Sequence, residues 1–361
     1  MRERVGLSKL KQIRRAINEK DLDSLRTLAL SKDGFLKDSF RTEAWMLLLH
    51  CESGIFQHLK YVDLDEATER QIQLDVDRSF VHYQHISSKN ISRFRSALKR
   101  LTSHVFRCLP WLHYYQGFHD ICSVLLMVLG EYRAKRAALV LSAVWLREFM
   151  EPTMESTMSQ VSMILLVLKQ MDPELHSFFQ SIPDFQPIFS VSWLITWLSH
   201  DLDKFQGARL FDALIATNPL FIIYLACALL KTQRSLILEC DADMADVHGI
   251  LCHVKFQELD FENLIQETVD FYDRYPNILQ KNILPYSASV YFKESYLKND
   301  LNFKNIEQTV RKKLSKPTSS LRHFIAGISI IGIIGVYFLY SYKVNLDFLV
   351  VSIFKNRMFL Q

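Results

Sequence analysis

Glycine and proline are scarce in this chain, at 10 and 9 residues of 361. So few turn formers disfavour an all-β sandwich and favour long helices joined by short loops. Cysteine is sparse and unpatterned: Cys51, Cys108, Cys122, Cys227, Cys240 and Cys252 show no C-x-x-C spacing, and they read as reduced, cytosolic thiols. No G-x-x-x-x-G-K-[ST] is present, so the chain is not itself a P-loop GTPase. Residues 1–20 are basic but have no continuous apolar core, so no secretory signal peptide is expected there, and Glu3, Glu19 and Asp21 disfavour a mitochondrial presequence. The formal charge of +4 is spread along the chain, which gives no case for nucleic acid and leaves acidic proteins and anionic lipid open as partners.

Apolar residues make up 49% of the chain and charged residues 23%, enough for a substantial core in one large domain or two ordinary ones. Leu10, Ile13, Ile17, Leu22, Leu25 and Leu28 recur at roughly helical spacing, which predicts amphipathic helices before the main domain, with no partner surface legible. Ile91, Phe94, Leu98, Leu101 and Val105 predict another amphipathic helix, carrying Arg93, Arg100 and Arg107 on a second face. That arginine row reads as a solvated basic face, with contact to an acidic partner or a membrane as the sharper alternative. The apolar runs 121–129, 163–168 and 221–230 are too short to cross a bilayer and are expected in the core. Pro285 and the polar stretch 298–320 mark the end of the compact domain and a linker.

Phe324 to Tyr342 is different: nineteen uncharged residues. At about 1.5 Å per residue a helix of this length spans roughly 28 Å, close to the hydrocarbon thickness of a bilayer. Tyr337, Tyr340 and Tyr342 would form an interfacial belt at one end. Arg311, Lys312, Lys313, Lys316 and Arg322 precede the segment, whereas only Lys343, Lys355 and Arg357 follow it. The positive-inside bias therefore places the bulk of the chain in the cytosol and residues 343–361 in the lumen. The sequon Asn90-Ile91-Ser92 should then stay unglycosylated.

Two short motifs carry the chemistry. Ile72-x-x-Asp75-x-x-Arg78 is followed by Tyr114-x-Gln116-Gly117, with Asp120 just beyond. Arg41 and Trp45 precede them, and Trp193, Trp197 and the run Arg209-Leu210-Phe211-Asp212 come later. In type, order and separation these features resemble the TBC domain family of Rab GTPase-activating proteins. The resemblance implies an all-α TBC domain over residues 35–298; with the readings above it, the chain divides further into an N-terminal helical extension over 1–34, a polar and basic linker over 299–323, and the single transmembrane helix at 324–342. It also implies fold-signature roles for Arg41, Trp45, Trp193 and Asp212. Phe118 and His119 stand where Met and Asn are more usual in the family. This variant motif, the stretch Cys240–His248 and the C-terminal segment together resemble an ER-anchored branch that acts on Rab GTPases of the ER-to-Golgi step.

GTP hydrolysis builds negative charge on the phosphoryl oxygens and needs an in-line water. Arginine supplies a permanently charged planar fork, and a glutamine amide can accept from the attacking water while donating to a phosphoryl oxygen. By resemblance Arg78 is the arginine finger and Gln116 the glutamine finger, and the chain needs no cofactor of its own because Mg-GTP is bound to the partner Rab. Asp75, one turn before Arg78, would hold the guanidinium ready, and Ile72 would anchor that helix. Gly117 would permit a tight turn beside Gln116, and Tyr114 would set the loop by packing or hydrogen bonding.

Two rivals remain from other classes: a membrane-anchored, noncatalytic Rab-binding tether, and a lipid-binding scaffold using the arginine row. Cys240, His248, Cys252 and His253 have an irregular spacing that reads as core thiols and capping imidazoles rather than a metal site.

Overall fold

Apolar residues spaced by three and four build a stack of helices, and the computed structural model describes residues 2–51, 59–80, 88–275 and 278–279 of it. Among these there is no β-strand. The order is α1 (Arg2–Glu19), α2 (Leu22–Leu30), α3 (Asp38–Leu48), α4 (Glu66–Arg78), α5 (Ser88–Cys108), α6 (Phe118–Val140) and α7 (Glu155–Met171). It continues with α8 (Pro173–Ser181), α9 (Val191–Thr196), α10 (Lys204–Ala216), α11 (Phe221–Thr232), α12 (Arg234–Glu239), α13 (Met244–Cys252) and α14 (Phe261–Arg274).

At the centre α5 packs along α6, which also meets α3, α9 and α10. Leu98, Leu101 and Val105 of α5 are fully buried, as the periodicity predicts. The run 121–129 lies in α6, 163–168 in α7 and 221–230 in α11. Every residue of α11 from Phe221 to Leu230 is buried, the pattern of a helix enclosed on all sides by α7, α9 and α14. Each such Leu or Phe contributes about 1.5–3 kcal/mol on leaving water.

The N-terminal helices find their partner here. Ile13, Ala16 and Ile17 of α1 and Leu25 and Ala29 of α2 are buried, and the pair packs against α3 and α10. Arg209 of α10 donates to the carbonyls of Ala29 and Ser31, both at 3.1 Å, capping the C-terminal end of α2. The same guanidinium makes a two-pronged bond to Glu262 of α14 at 2.6 and 3.0 Å, so one side chain joins three helices.

The segment 324–342, expected to span a membrane, lies outside the described residues, as do the linker 299–323 and the tail 343–361. Among the described residues no helix is long and apolar enough to cross a membrane.

Candidate functional site

The C-terminal half of α4 carries the first motif. Asp65 caps the helix by accepting from the Thr68 amide at 2.9 Å, and Glu66 and Glu69 in the first turn suit the helix dipole, as does Arg78 in the last. Ile72 is fully buried and anchors the helix. Asp75 is also buried, at 2% exposure, whereas the Arg78 side chain is 41% exposed. Arg78 Nε donates to the Leu74 carbonyl at 3.1 Å, and its Nη2 stands 3.8 Å from Asp75 Oδ1. The contact expected between Asp75 and Arg78 is present but long. Just beyond, Arg95 of α5 donates twice to the Ser79 carbonyl, at 3.2 and 3.1 Å, and Ser79 Oγ donates to the Asp75 carbonyl at 2.9 Å. These bonds pin the end of α4 where the chain turns through Phe80 at φ +66°.

The second motif forms the loop between α5 and α6, and the two tyrosines before Gln116 fasten it in two directions. Tyr114 donates its hydroxyl to Asp75 Oδ2 at 2.7 Å, and Tyr115 donates to the Ile195 carbonyl at 2.7 Å. Burial raises both phenols well above their ordinary pKa, with Asp75 adding to the effect on Tyr114, so both remain donors. The Phe106 ring meets Tyr114 and Phe118 edge-on, at 5.5 and 5.6 Å. Gly117 lies at φ +109°, and a Cβ there would come within 2.8 Å of Thr196 Cγ2, so both backbone and space require glycine. Gln116 itself is half-buried and makes no side-chain hydrogen bond among the described residues. Its neighbours are committed and its amide is not.

Asp75 therefore serves both motifs. It accepts from Tyr114 and, at 3.1 Å, from Gln71, while facing the Arg78 guanidinium. Two residues that motif reading did not single out continue this brace. His119 Nδ1 lies 3.5 Å from the Tyr114 hydroxyl and its Nε2 lies 3.3 Å from Asp120 Oδ1. Asp120 Oδ2 in turn meets His200 Nδ1 at 3.1 Å. The only sequence signal for His119 is its departure from the usual Asn, and His200 carries none.

Arg41, Trp45 and Asp212 come together as one buried node. Asp212 is wholly buried and accepts from Arg41 Nε and Nη2 at 3.1 and 3.0 Å, from Trp45 Nε1 at 2.8 Å and from the Phe35 amide at 3.1 Å. Burial works against the Arg41 charge, but Asp212 and Asp38 outweigh it and raise its pKa. A Cβ on Gly34 would fall 2.3 Å from Asp212 Oδ2, so this turn is closed to larger residues. Trp193, the remaining fold-signature residue, packs against Phe189 and Phe256 at 5.4 and 6.5 Å. Trp197 meets Phe211 at 5.2 Å, and Trp45 meets the same ring at 6.0 Å.

The arginine row is largely committed within the domain. Arg100 pairs with Glu131 at 2.9 and 2.7 Å, and Arg107 pairs with Glu69 at 2.7 Å. Among the described residues no three His, Cys, Asp or Glu side chains group as a metal site. His253 Nδ1 bonds the Gly249 carbonyl at 2.6 Å, and the Cys240 thiol donates to the Ile237 carbonyl.

A buried helix end bearing an exposed arginine is thus tied through Asp75 to the loop that holds Gln116. Residues 38–238 match the Rab-GTPase-TBC domain family, and the chain belongs to it: it is a Rab GTPase-activating protein. It is similar to TBC1 domain family member 20 of Mus musculus, 35% identical over 274 residues that cover 74% of this chain and 68% of that one. It is also similar to GTPase-activating protein gyp10 of Schizosaccharomyces pombe, 33% identical over 269 residues covering 71% and 70% of the two chains. The crystal structure of the Ypt/Rab-GAP domain of Gyp1p shares the fold, with a TM-score of 0.55 at 15% identity, covering 74% of this chain and 99% of that one.

Proposed function

We propose that this chain activates Rab GTPases of the ER-to-Golgi step by donating Arg78 and Gln116 in trans, from a position held at the ER membrane by residues 324–342. The observation that carries the reading is Asp75, which accepts the Tyr114 hydroxyl at 2.7 Å while its other oxygen faces the Arg78 guanidinium at 3.8 Å. One buried carboxylate thus sets the spacing of the two elements. The nucleotide and its Mg²⁺ belong to the Rab. Arg78 would balance charge developing on the transferring and leaving oxygens, and Gln116 would orient the attacking water. An arginine finger is worth about 10³ to 10⁵ in rate, or roughly 4 to 7 kcal/mol of barrier.

The choice of an early-secretory Rab rests on the resemblance of the Tyr114–Ile121 motif variant and the Cys240–His248 stretch to an ER-anchored branch of the family, and on the apolar C-terminal segment, which implies an anchored chain with a cytosolic domain and a luminal tail. The experiment is single-turnover GTP hydrolysis on a panel of Rabs with the full chain in detergent, beside Arg78→Ala and Gln116→Ala. Acceleration on an early-secretory Rab that both substitutions remove is expected. Binding without acceleration would instead identify the noncatalytic tether.

A further inference from the structure

The brace around Asp75 does not end at Tyr114. From Asp75 the polar contacts run to Tyr114 at 2.7 Å, to His119 at 3.5 Å, to Asp120 at 3.3 Å and to His200 at 3.1 Å. The five members come from four places in the chain: Asp75 from the end of α4, Tyr114 from the loop bearing Gln116, His119 and Asp120 from the first turn of α6, and His200 from the turn after α9. We infer that His200 is a positioning residue for GTPase activation, holding Asp120 and, through His119, the Tyr114 hydroxyl that joins the loop of Gln116 to the helix of Arg78.

Asp120 sits in the first turn of α6, where a carboxylate is favoured by the exposed amides and the helix dipole. It must also present one oxygen to His119 and the other to His200. The connector carrying His200 is itself held tightly. Trp197 and Leu198 both adopt positive φ, at +53° and +59°, and the Leu198 amide donates to the Trp193 carbonyl at 3.0 Å. In the preceding turn, Ile195 accepts from Tyr115 and Thr196 fills the space that Gly117 leaves open. The α9 end therefore touches the Gln116 loop at two points, and His200, in the turn that follows, adds a third contact to the first turn of α6. Burial opposes charge on the His200 ring, but the Asp120 carboxylate, with Asp201 adding, reverses this and raises its pKa to about 9. At neutral pH the contact is a charge-assisted bond, stronger and more directional than a neutral one.

The inference rests on Arg78 and Gln116 being the two fingers, and the test separates the two ideas. Single-turnover hydrolysis on a responsive Rab is measured with the full chain over a range of activator concentrations. The proteins compared are wild type, Arg78→Ala, Gln116→Ala, His200→Ala and His200→Asn, each with its thermal midpoint. His200→Ala is expected to lower the maximal rate about tenfold with the half-saturating concentration unchanged, short of the ~10²-fold that a 1 Å misplacement can cost. His200→Asn retains a donor near the Nδ1 position and should recover most of the rate. Tyr114→Phe combined with His200→Ala should lose less than the product of the single losses, because both act on one chain of contacts. A maximal rate for His200→Ala equal to wild type, beside inactive Arg78→Ala and Gln116→Ala, would overturn this inference alone. If His200→Ala fails to fold, His200→Leu beside a folded His200→Asn decides the matter: equal rates in the two would also overturn it. Full activity in Arg78→Ala would overturn the finger reading itself.

Discussion

Two arginine–carboxylate pairs in this domain share residue types and differ in almost everything else. Arg41 is clamped on wholly buried Asp212 by bonds of 3.1 and 3.0 Å, and Trp45 and the Phe35 amide take up the remaining acceptor capacity. Arg78 faces Asp75 at 3.8 Å with 41% of its side chain in solvent, while Asp75 accepts its shortest bond from the Tyr114 hydroxyl. In the first pair the guanidinium is consumed by the fold. In the second the carboxylate is consumed and the guanidinium is left where a partner protein can reach it. A buried, satisfied pair holds helices in place; a buried acid beneath an exposed arginine presents a charge.

The comparison is broken most sharply by exchanging arginine for lysine at position 78. Lysine keeps the charge but cannot bridge the transferring group and the leaving oxygen with one planar fork. Arg78→Lys should therefore lose about 10³-fold or more in stimulated GTP hydrolysis, with the thermal midpoint unchanged, as single-turnover kinetics beside a melting curve would show. Recovery of half the wild-type rate would make charge alone sufficient and sink the role given to the fork.

The opposite pattern is expected at Asp212. Asp212→Ala leaves the Arg41 charge and the Trp45 and Phe35 donors buried without their acceptor, a loss of about 3–5 kcal/mol. Chemical denaturation should read this as a lower midpoint, and hydrolysis per folded molecule should hold near the wild-type value.

Tyr114→Phe probes the joint between the two motifs. It removes one hydroxyl bonded to a carboxylate, worth about 1.5–3 kcal/mol when buried. Part of this should appear as lost stability. The rest should appear as a lower maximal rate, because the loop of Gln116 is then no longer tied to α4.

How far these pairs could be told apart in the sequence follows from distance along the chain. Asp75 and Arg78 are one turn apart on one helix, so their proximity is legible from spacing alone. Ile72 as the buried anchor and Gly117 as the left-handed hinge were legible for the same local reason. Tyr114 reaching Asp75, and Tyr115 reaching Ile195, depend on packing between distant segments, and no period in the sequence encodes that. The amphipathic character of α1 and α2 was visible, but the surface they cover was not, because Arg209 caps α2 from a helix far along the chain. Trp193 and Trp197 read alike as apolar residues four apart. The positive φ at Trp197 ends α9 and turns that indole, rather than Trp193, onto Phe211. The all-helical class was accessible from composition and periodicity. The polar brace was not, since histidines and aspartates on separate helices carry no pattern until the helices meet.

A third arginine carries the smallest expected effect and sharpens the contrast from the other side. Arg100 is 56% exposed, more so than Arg78, yet its two bonds to Glu131 leave the fork committed. Hydrogen bonding from Arg100, opposed by burial and reinforced by Lys135, holds the Glu131 carboxyl down at about 2. A depressed acid stabilises the fold above its unfolded value, and that contribution is lost as pH falls through about 2, so the pair should be intact across the neutral range. Solvent screening keeps such an exposed pair below about 1 kcal/mol. Arg100→Ala should therefore shift the denaturation midpoint by less than that, the shift shrinking further in high salt, and leave stimulated hydrolysis at the wild-type rate. A large loss of activity on removing Arg100 would mean that exposure and local pairing do not separate catalytic from structural arginines in this domain, and that the Arg93, Arg100 and Arg107 face meets the GTPase.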